Sequence, residues 1–119
     1  MTKVKLTHKL TFRDRLSRLT FDQACKLIGP QGKRLILAGS RREIDRREEV
    51  YLGGDLLRVR FPAADGGIEA VTSLTLTGEA RDRLRWNCDR CDGACEHVGA
   101  MFSMLLENKT QLGLSLIHI

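Results

Sequence analysis

The stretch Trp86-Asn87-Cys88-Asp89-Arg90-Cys91-Asp92-Gly93-Ala94-Cys95-Glu96-His97 gathers three of the chain's four cysteines and one of its three histidines. Its pattern is C-x2-C-x3-C-x-H. Three soft thiolates and one imidazole are a donor set that a tetrahedral Zn2+ ion prefers. Four protein ligands fill the shell and leave no position for an activated water, so the pattern predicts one structural zinc held by Cys88, Cys91, Cys95 and His97. Other readings compete. A disulfide pair leaves the clustered histidine unexplained. A redox C-x-x-C site would open a helix within a βαβ pattern, which Cys88-Asp89-Arg90-Cys91 does not. Unrelated buried cysteines are the third alternative. Cys25 stands apart from the group, on what reads as the apolar face of a helix.

The elements that must position these ligands follow from pattern. Gly93 and Ala94 allow a tight bend before the third cysteine. From about Glu96 to Glu107, Val98, Met101, Phe102 and Leu105 recur at helical spacing and predict an amphipathic helix whose first turn carries His97. Leu84-Arg85-Trp86-Asn87 alternates as a short strand leading into the cysteines, with Trp86 on the core side. Ile68 to Leu76 is threonine-rich and β-branched and reads as another strand. Val50 and Leu52, the Gly53-Gly54-Asp55 turn, and Leu57 to Phe61 read as a hairpin. Ala63 to Gly67 reads as a second turn. Upstream, Thr20 and Gln23 form a capping box that starts a helix, and Gly29-Pro30 stops it. Gln31 to Ala38 reads as a second helix. Residues 1–19 carry only a weak alternation (Val4, Leu6, Leu10, Phe12) and read as a strand or a loose arm.

On these residues the chain resembles the SWIM zinc-finger family, whose pattern is C-x-C-x(n)-C-x-H with an alanine three residues after the histidine. Cys95-Glu96-His97 matches the C-x-H half, Ala100 supplies the alanine, and Trp86 occupies the apolar position before the first cysteine. The departure is Cys88-x2-Cys91 in place of C-x-C, which widens the first loop by one residue. The resemblance covers about residues 71–107. It implies a ββα scaffold and binding of nucleic acid or protein. More broadly, the chain is similar to the N-terminal region of large bacterial SWIM proteins, some of which continue into a SWI/SNF-type DEAD/DEAH-box helicase. No ATPase motif is present. Gly29-Pro30-Gln31-Gly32-Lys33-Arg34 lacks the earlier glycine and the hydroxyl residue that a phosphate loop requires.

Composition bounds the rest. At 119 residues, with 42% apolar and 29% charged side chains, the chain has room for one small domain, two at most, and little for a large catalytic pocket. No apolar run is long enough for a membrane helix and no signal-peptide core is visible, which points to a cytoplasmic protein. His8 is isolated and no Ser/His/Asp arrangement is discernible, so no enzymatic activity is expected. The net charge is +5, with 15 basic against 7 acidic residues in positions 1–63. Arg58 and Arg60 alternate on one expected strand, Arg83 and Arg85 on another. If both strands share a sheet, the four form a stripe suited to a phosphate backbone. A solvated outer face explains the same alternation. Asp89, Asp92 and Glu96 surround the cysteines and would repel phosphate there. Aromatic content of 5% gives little support to a base-stacking platform.

The expected fold is therefore α+β: an N-terminal helical hairpin, a small antiparallel sheet and a C-terminal ββα zinc finger. The expected organisation is a basic helix-plus-sheet region at 1–70, the finger at 71–113, and a tail at 114–119. Leu114-Ser115-Leu116-Ile117-His118-Ile119 resembles a translated sequencing adapter, so a different natural continuation is expected beyond about Gly113. The expected function is zinc-stabilised recognition of nucleic acid as an accessory domain of a larger protein. The competing class is a protein-protein or intramolecular docking module, with a protein or a downstream domain of the same chain as partner. Metal removal is expected to melt residues 84–107 first.

Overall fold

Short helices in a small domain need their ends satisfied, and the first two helices in the computed structural model begin with reciprocal caps. The structure describes residues 11–62, 69–77, 83–91 and 93–114. Helix α1 spans Phe12–Arg18, where the Asp14 amide donates to Thr11 Oγ1 at 3.1 Å and the Thr11 amide donates to Asp14 Oδ2 at 3.2 Å. This corrects the expectation of a strand or loose arm over 11–19. Phe12 and Leu16 stand one turn apart and are buried, and so is Ser17, the neighbour of Leu16, which a strand would turn to the opposite face. Residues 1–10, with the Val4 and Leu6 alternation, lie outside the described residues.

Helix α2 (Phe21–Ile28) starts at the expected Thr20–Gln23 box, and Gly29 ends it with φ at 122°, a conformation that a side chain resists. Helix α3 (Gly32–Gly39) returns as the second arm of the helical hairpin. Strands β1 (Val50–Gly53), β2 (Leu56–Phe61), β3 (Ala70–Thr77) and β4 (Arg83–Cys88) form one antiparallel sheet in the order β1-β2-β3-β4. The β1–β2 turn falls at Gly54-Asp55, with Gly54 at φ 57°. The expected turn at 63–67 lies outside the described residues. Strand β3 begins at Ala70 and pairs with β2 on one side and β4 on the other.

Helix α4 (Glu96–Glu107) matches the expected span. It lies between α3 on one side and β3 and β4 on the other. Val98, Met101, Phe102 and Leu105 are fully buried, each contributing about 1.5–3 kcal/mol over exposure to water. Gly99, Ala100 and Ser103 are buried as well, because α3 crosses close over them. A Cβ on Gly39 would lie 2.5 Å from Ala100 Cα, and one on Gly99 would lie 2.9 Å from the Ile36 amide nitrogen and closer still to the Leu35 carbonyl.

Strand parity divides the sheet. Leu57, Val59, Phe61, Thr72, Leu74 and Cys88 face the helices and are buried. Trp86 faces the same way, and its Nε1 donates to the Leu27 carbonyl at 2.7 Å, tying β4 to α2. At the far end, Lys109 Nζ donates to the carbonyls of Ser17 and Leu19 at 2.7 and 2.6 Å, closing the C-terminus of α1. Arg13 Nη2 donates to the Leu112 and Gly113 carbonyls, and Leu114 packs into the core. Among the described residues no helix is long and apolar enough to cross a membrane.

Candidate metal centre

Three consecutive elements deliver the four side chains. Cys88 is the last residue of β4, Cys91 follows the Asp89-Arg90 turn, Cys95 is the N-cap residue of α4, and His97 stands in its first turn. One ligand atom from each lies within 4.8 Å of the others, and Cys88 Sγ faces His97 Nδ1 at 4.0 Å. Bonds of about 2.3 Å to sulfur and about 2.0 Å to nitrogen in a tetrahedron separate donor atoms by roughly 3.5–3.8 Å. The cluster is therefore about an ångström wider than a loaded site, within reach of small side-chain rotations. All four cysteines are free thiols, and Cys25 is remote from the group. The four residues Cys88, Cys91, Cys95 and His97 can hold one metal ion.

Electrostatics fit that assignment. Burial pushes the Cys88 thiol above its ordinary value. The Cys95 thiol beside it, with burial, pushes Cys91 up to about 12. Crowded sulfurs cannot all ionise without a cation among them. His97 is pushed down, first by burial and then by the Arg42 guanidinium, so its imidazole is neutral and a lone pair is available. Metal entry would release the thiol protons.

The surroundings hold the cluster in place. The Asp89 amide donates to the Val71 carbonyl at 3.1 Å, and the Val71 amide donates to Asp89 Oδ1 at 2.8 Å, extending the β3–β4 ladder past Cys88. Arg90 Nε donates to the Glu69 carbonyl at 3.0 Å. Phe61 lies against the His97 ring with centroids 5.0 Å apart, and Arg42 lies over Phe61 at 5.7 Å while pairing with Glu96 at 3.0 Å. Sequence reasoning did not find Phe61 or Arg42, since both are distant in the chain and neither spacing nor type marks them. The carboxylates of Asp89 and Glu96, expected to repel phosphate, are engaged with a backbone amide and a guanidinium. Asp92 lies outside the described residues.

The arginines fall as strand parity requires. Arg58 pairs with Ser73, Arg60 with Val71, Arg85 with Thr75 and Arg83 with Thr77. All four positions thus belong to the sheet face opposite the helices. Arg58, Arg60 and Arg85 are exposed there. Arg60 reaches Glu69 at 4.0 Å. Neither Arg58 nor Arg85 has a carboxylate partner among the described residues. No protein-family model matches the chain, and no curated protein or solved structure matches it.

Proposed function

We propose that this chain is a zinc-stabilised recognition module of the SWIM type that binds nucleic acid through its sheet. The observation that carries the metal assignment is the convergence of three sulfurs and one imidazole at the end of a β-β-α unit. Zinc suits the donor set because it accepts thiolate and imidazole together and has no geometric preference that opposes a tetrahedron. His97 would ligate through Nδ1, the nitrogen that faces Cys88. A shell of four protein ligands leaves no open position, which favours a structural, non-catalytic role. The ion would lock β4 to the start of α4 and so fix the slope of the sheet against the helices.

Nucleic acid is favoured as partner by the guanidinium groups of Arg58, Arg60 and Arg85 on a sheet face that no described element covers. The likeness to SWIM proteins supports a place as accessory domain of a larger cytoplasmic protein, including one with a SWI/SNF-type helicase core. A second reading, a protein-docking module, is favoured by Leu37 and Phe21, which are 53% and 37% exposed on the helical hairpin. Filter binding of duplex and single-stranded DNA to the zinc-loaded chain at two salt concentrations tests the first reading. Salt-sensitive retention supports it, and no retention at low salt leaves the docking role.

A further inference from the structure

The uncovered sheet face holds more than arginines. Tyr51 stands directly across from Arg58 on the edge strand β1, on the same face, and is 48% exposed. Two residues on, Gly53 lacks the side chain that would meet it. A Cβ there would lie 2.6 Å from the Tyr51 hydroxyl and 2.9 Å from Cζ. The ring therefore lies down along its own strand, over the glycine, instead of standing away from the sheet. The Arg58 guanidinium sits 5.2 Å from the ring centroid. Beside them a cavity of about 200 Å³ is lined by Glu48, Glu49, Val50, Tyr51, Arg58 and Arg60.

The register continues this arrangement across the whole sheet. Tyr51, Arg58, Ser73 and Asn87 form one row through all four strands, and Arg85 lies in the next row beside Thr75. At roughly 4.8 Å between strands, the row is about 14 Å long. It presents in order an aromatic ring, a guanidinium, a hydroxyl and an amide. A ring and a guanidinium both offer flat surfaces to a base, while hydroxyl and amide groups bond to phosphate, sugar or base edges.

We infer that this row is a single-stranded nucleic-acid site, in which one unstacked base takes the place of the Arg58 guanidinium over the Tyr51 ring, and Arg58, so displaced, holds backbone phosphate together with Arg85. The inference rests on the nucleic-acid reading above and adds the strand type and the residues. Single strands are favoured because bases in a duplex are already stacked and cannot reach a ring lying flat on a sheet. Among the described residues no helix or ribbon projects from this face to enter a major groove. Arg58 and Arg85 supply positive charge with no carboxylate partner among the described residues, whereas Arg60 is held partly by Glu69. Glu48 and Glu49 line the cavity beside the ring, and the Asp45 amide donates to Glu49 Oε1 at 2.8 Å.

Fluorescence anisotropy of a labelled oligothymidylate, and of a labelled duplex of equal length, tests the inference on the full zinc-loaded chain. The single strand is expected to bind more tightly than the duplex. Tyr51→Ala should weaken it about tenfold and leave the salt slope unchanged. Tyr51→Phe should bind as the parent does. Arg58→Ala and Arg85→Ala should each weaken binding and flatten the salt slope by about 0.7. Circular dichroism and metal content check that each variant is folded. Should Tyr51→Ala lose the hairpin, photocrosslinking of an iodouracil-substituted oligonucleotide to the unaltered chain reads the same contact, with Tyr51 as the expected adduct. Preference for the duplex, parent-like binding by Tyr51→Ala, or a crosslink elsewhere overturns this site while nucleic-acid binding stands. Equal binding of polyglutamate, insensitive to Tyr51→Ala, overturns it in favour of an acidic protein partner. No binding of either oligonucleotide at low salt overturns both readings.

Discussion

Replacing Gly99 with alanine adds one methyl group at the crossing of α3 and α4. That methyl would lie 2.9 Å from the Ile36 amide nitrogen and closer to the Leu35 carbonyl, where ordinary contacts begin near 3.4 Å. The obstructing atoms are backbone, so no rotamer change relieves the clash and the helices must part. Overpacking of buried positions costs about 1–3 kcal/mol, and an immovable neighbour places Gly99→Ala at the upper end, about 3 kcal/mol. For a domain of this size that corresponds to roughly 10–20 °C in Tm. The displacement also reaches the metal centre. Cys95 and His97 ride on α4, and Arg42, just beyond α3, braces Phe61 against His97. The same substitution at Gly93 is the control, because nothing lies within 4 Å of a Cβ there. Urea and thermal denaturation of both variants, zinc-loaded, is the assay. A loss of under about 0.5 kcal/mol for Gly99→Ala, or equal losses for both, refutes the close crossing.

Metal removal should release the segment from Cys88 to His97 while α4 from Val98 to Leu105 keeps its packing against α3 and the sheet. This is narrower than the 84–107 expected from sequence, because α4 is the middle layer of the core. Hydrogen exchange with and without chelator checks it, and equal protection loss across all of α4 contradicts it. Phe61→Ala should lower metal affinity about 10–100-fold by freeing the His97 ring, read by competition with a chromophoric chelator. The metal-free chain should lose stability at both ends of the pH scale. Folded Cys88 and Cys91 resist ionisation, so their contribution is full below about pH 9 and is lost as pH rises toward about 12. Folded His97 resists protonation, so stability also falls as pH drops below about 6.5, where the unfolded imidazole takes a proton. Urea midpoints measured across pH in chelator would contradict this by staying flat.

What sequence revealed here was local. Thr20 and Gln23 mark a helix start because both halves of the box lie within four residues. Gly29-Pro30, Gly54-Asp55 and the Val98–Leu105 stripe are equally self-contained. The four metal ligands fall within ten residues, so their convergence needs only a turn and a helix start. The arginine parity was legible because strand alternation fixes a face before the pairing is known. The residues that escaped notice act across the fold. Helix α1 hides because Leu10 and Phe12 suggest alternation, while the Lys109 ammonium that closes its C-terminus comes from 90 residues away. Phe61 and Arg42 meet His97 only once α3, β2 and α4 have packed. Tyr51 counted as one aromatic among few until the register placed it over Gly53 and beside Arg58.

The most direct test of the metal assignment is elemental analysis of the purified chain beside a Cys95→Ser variant. The expected result is one zinc ion per chain in the parent and a marked loss in the variant. Cobalt substituted into the parent should give the intense absorption of a tetrahedral thiolate site. A folded parent with no stoichiometric metal, or one that Cys95→Ser leaves fully loaded, would contradict it.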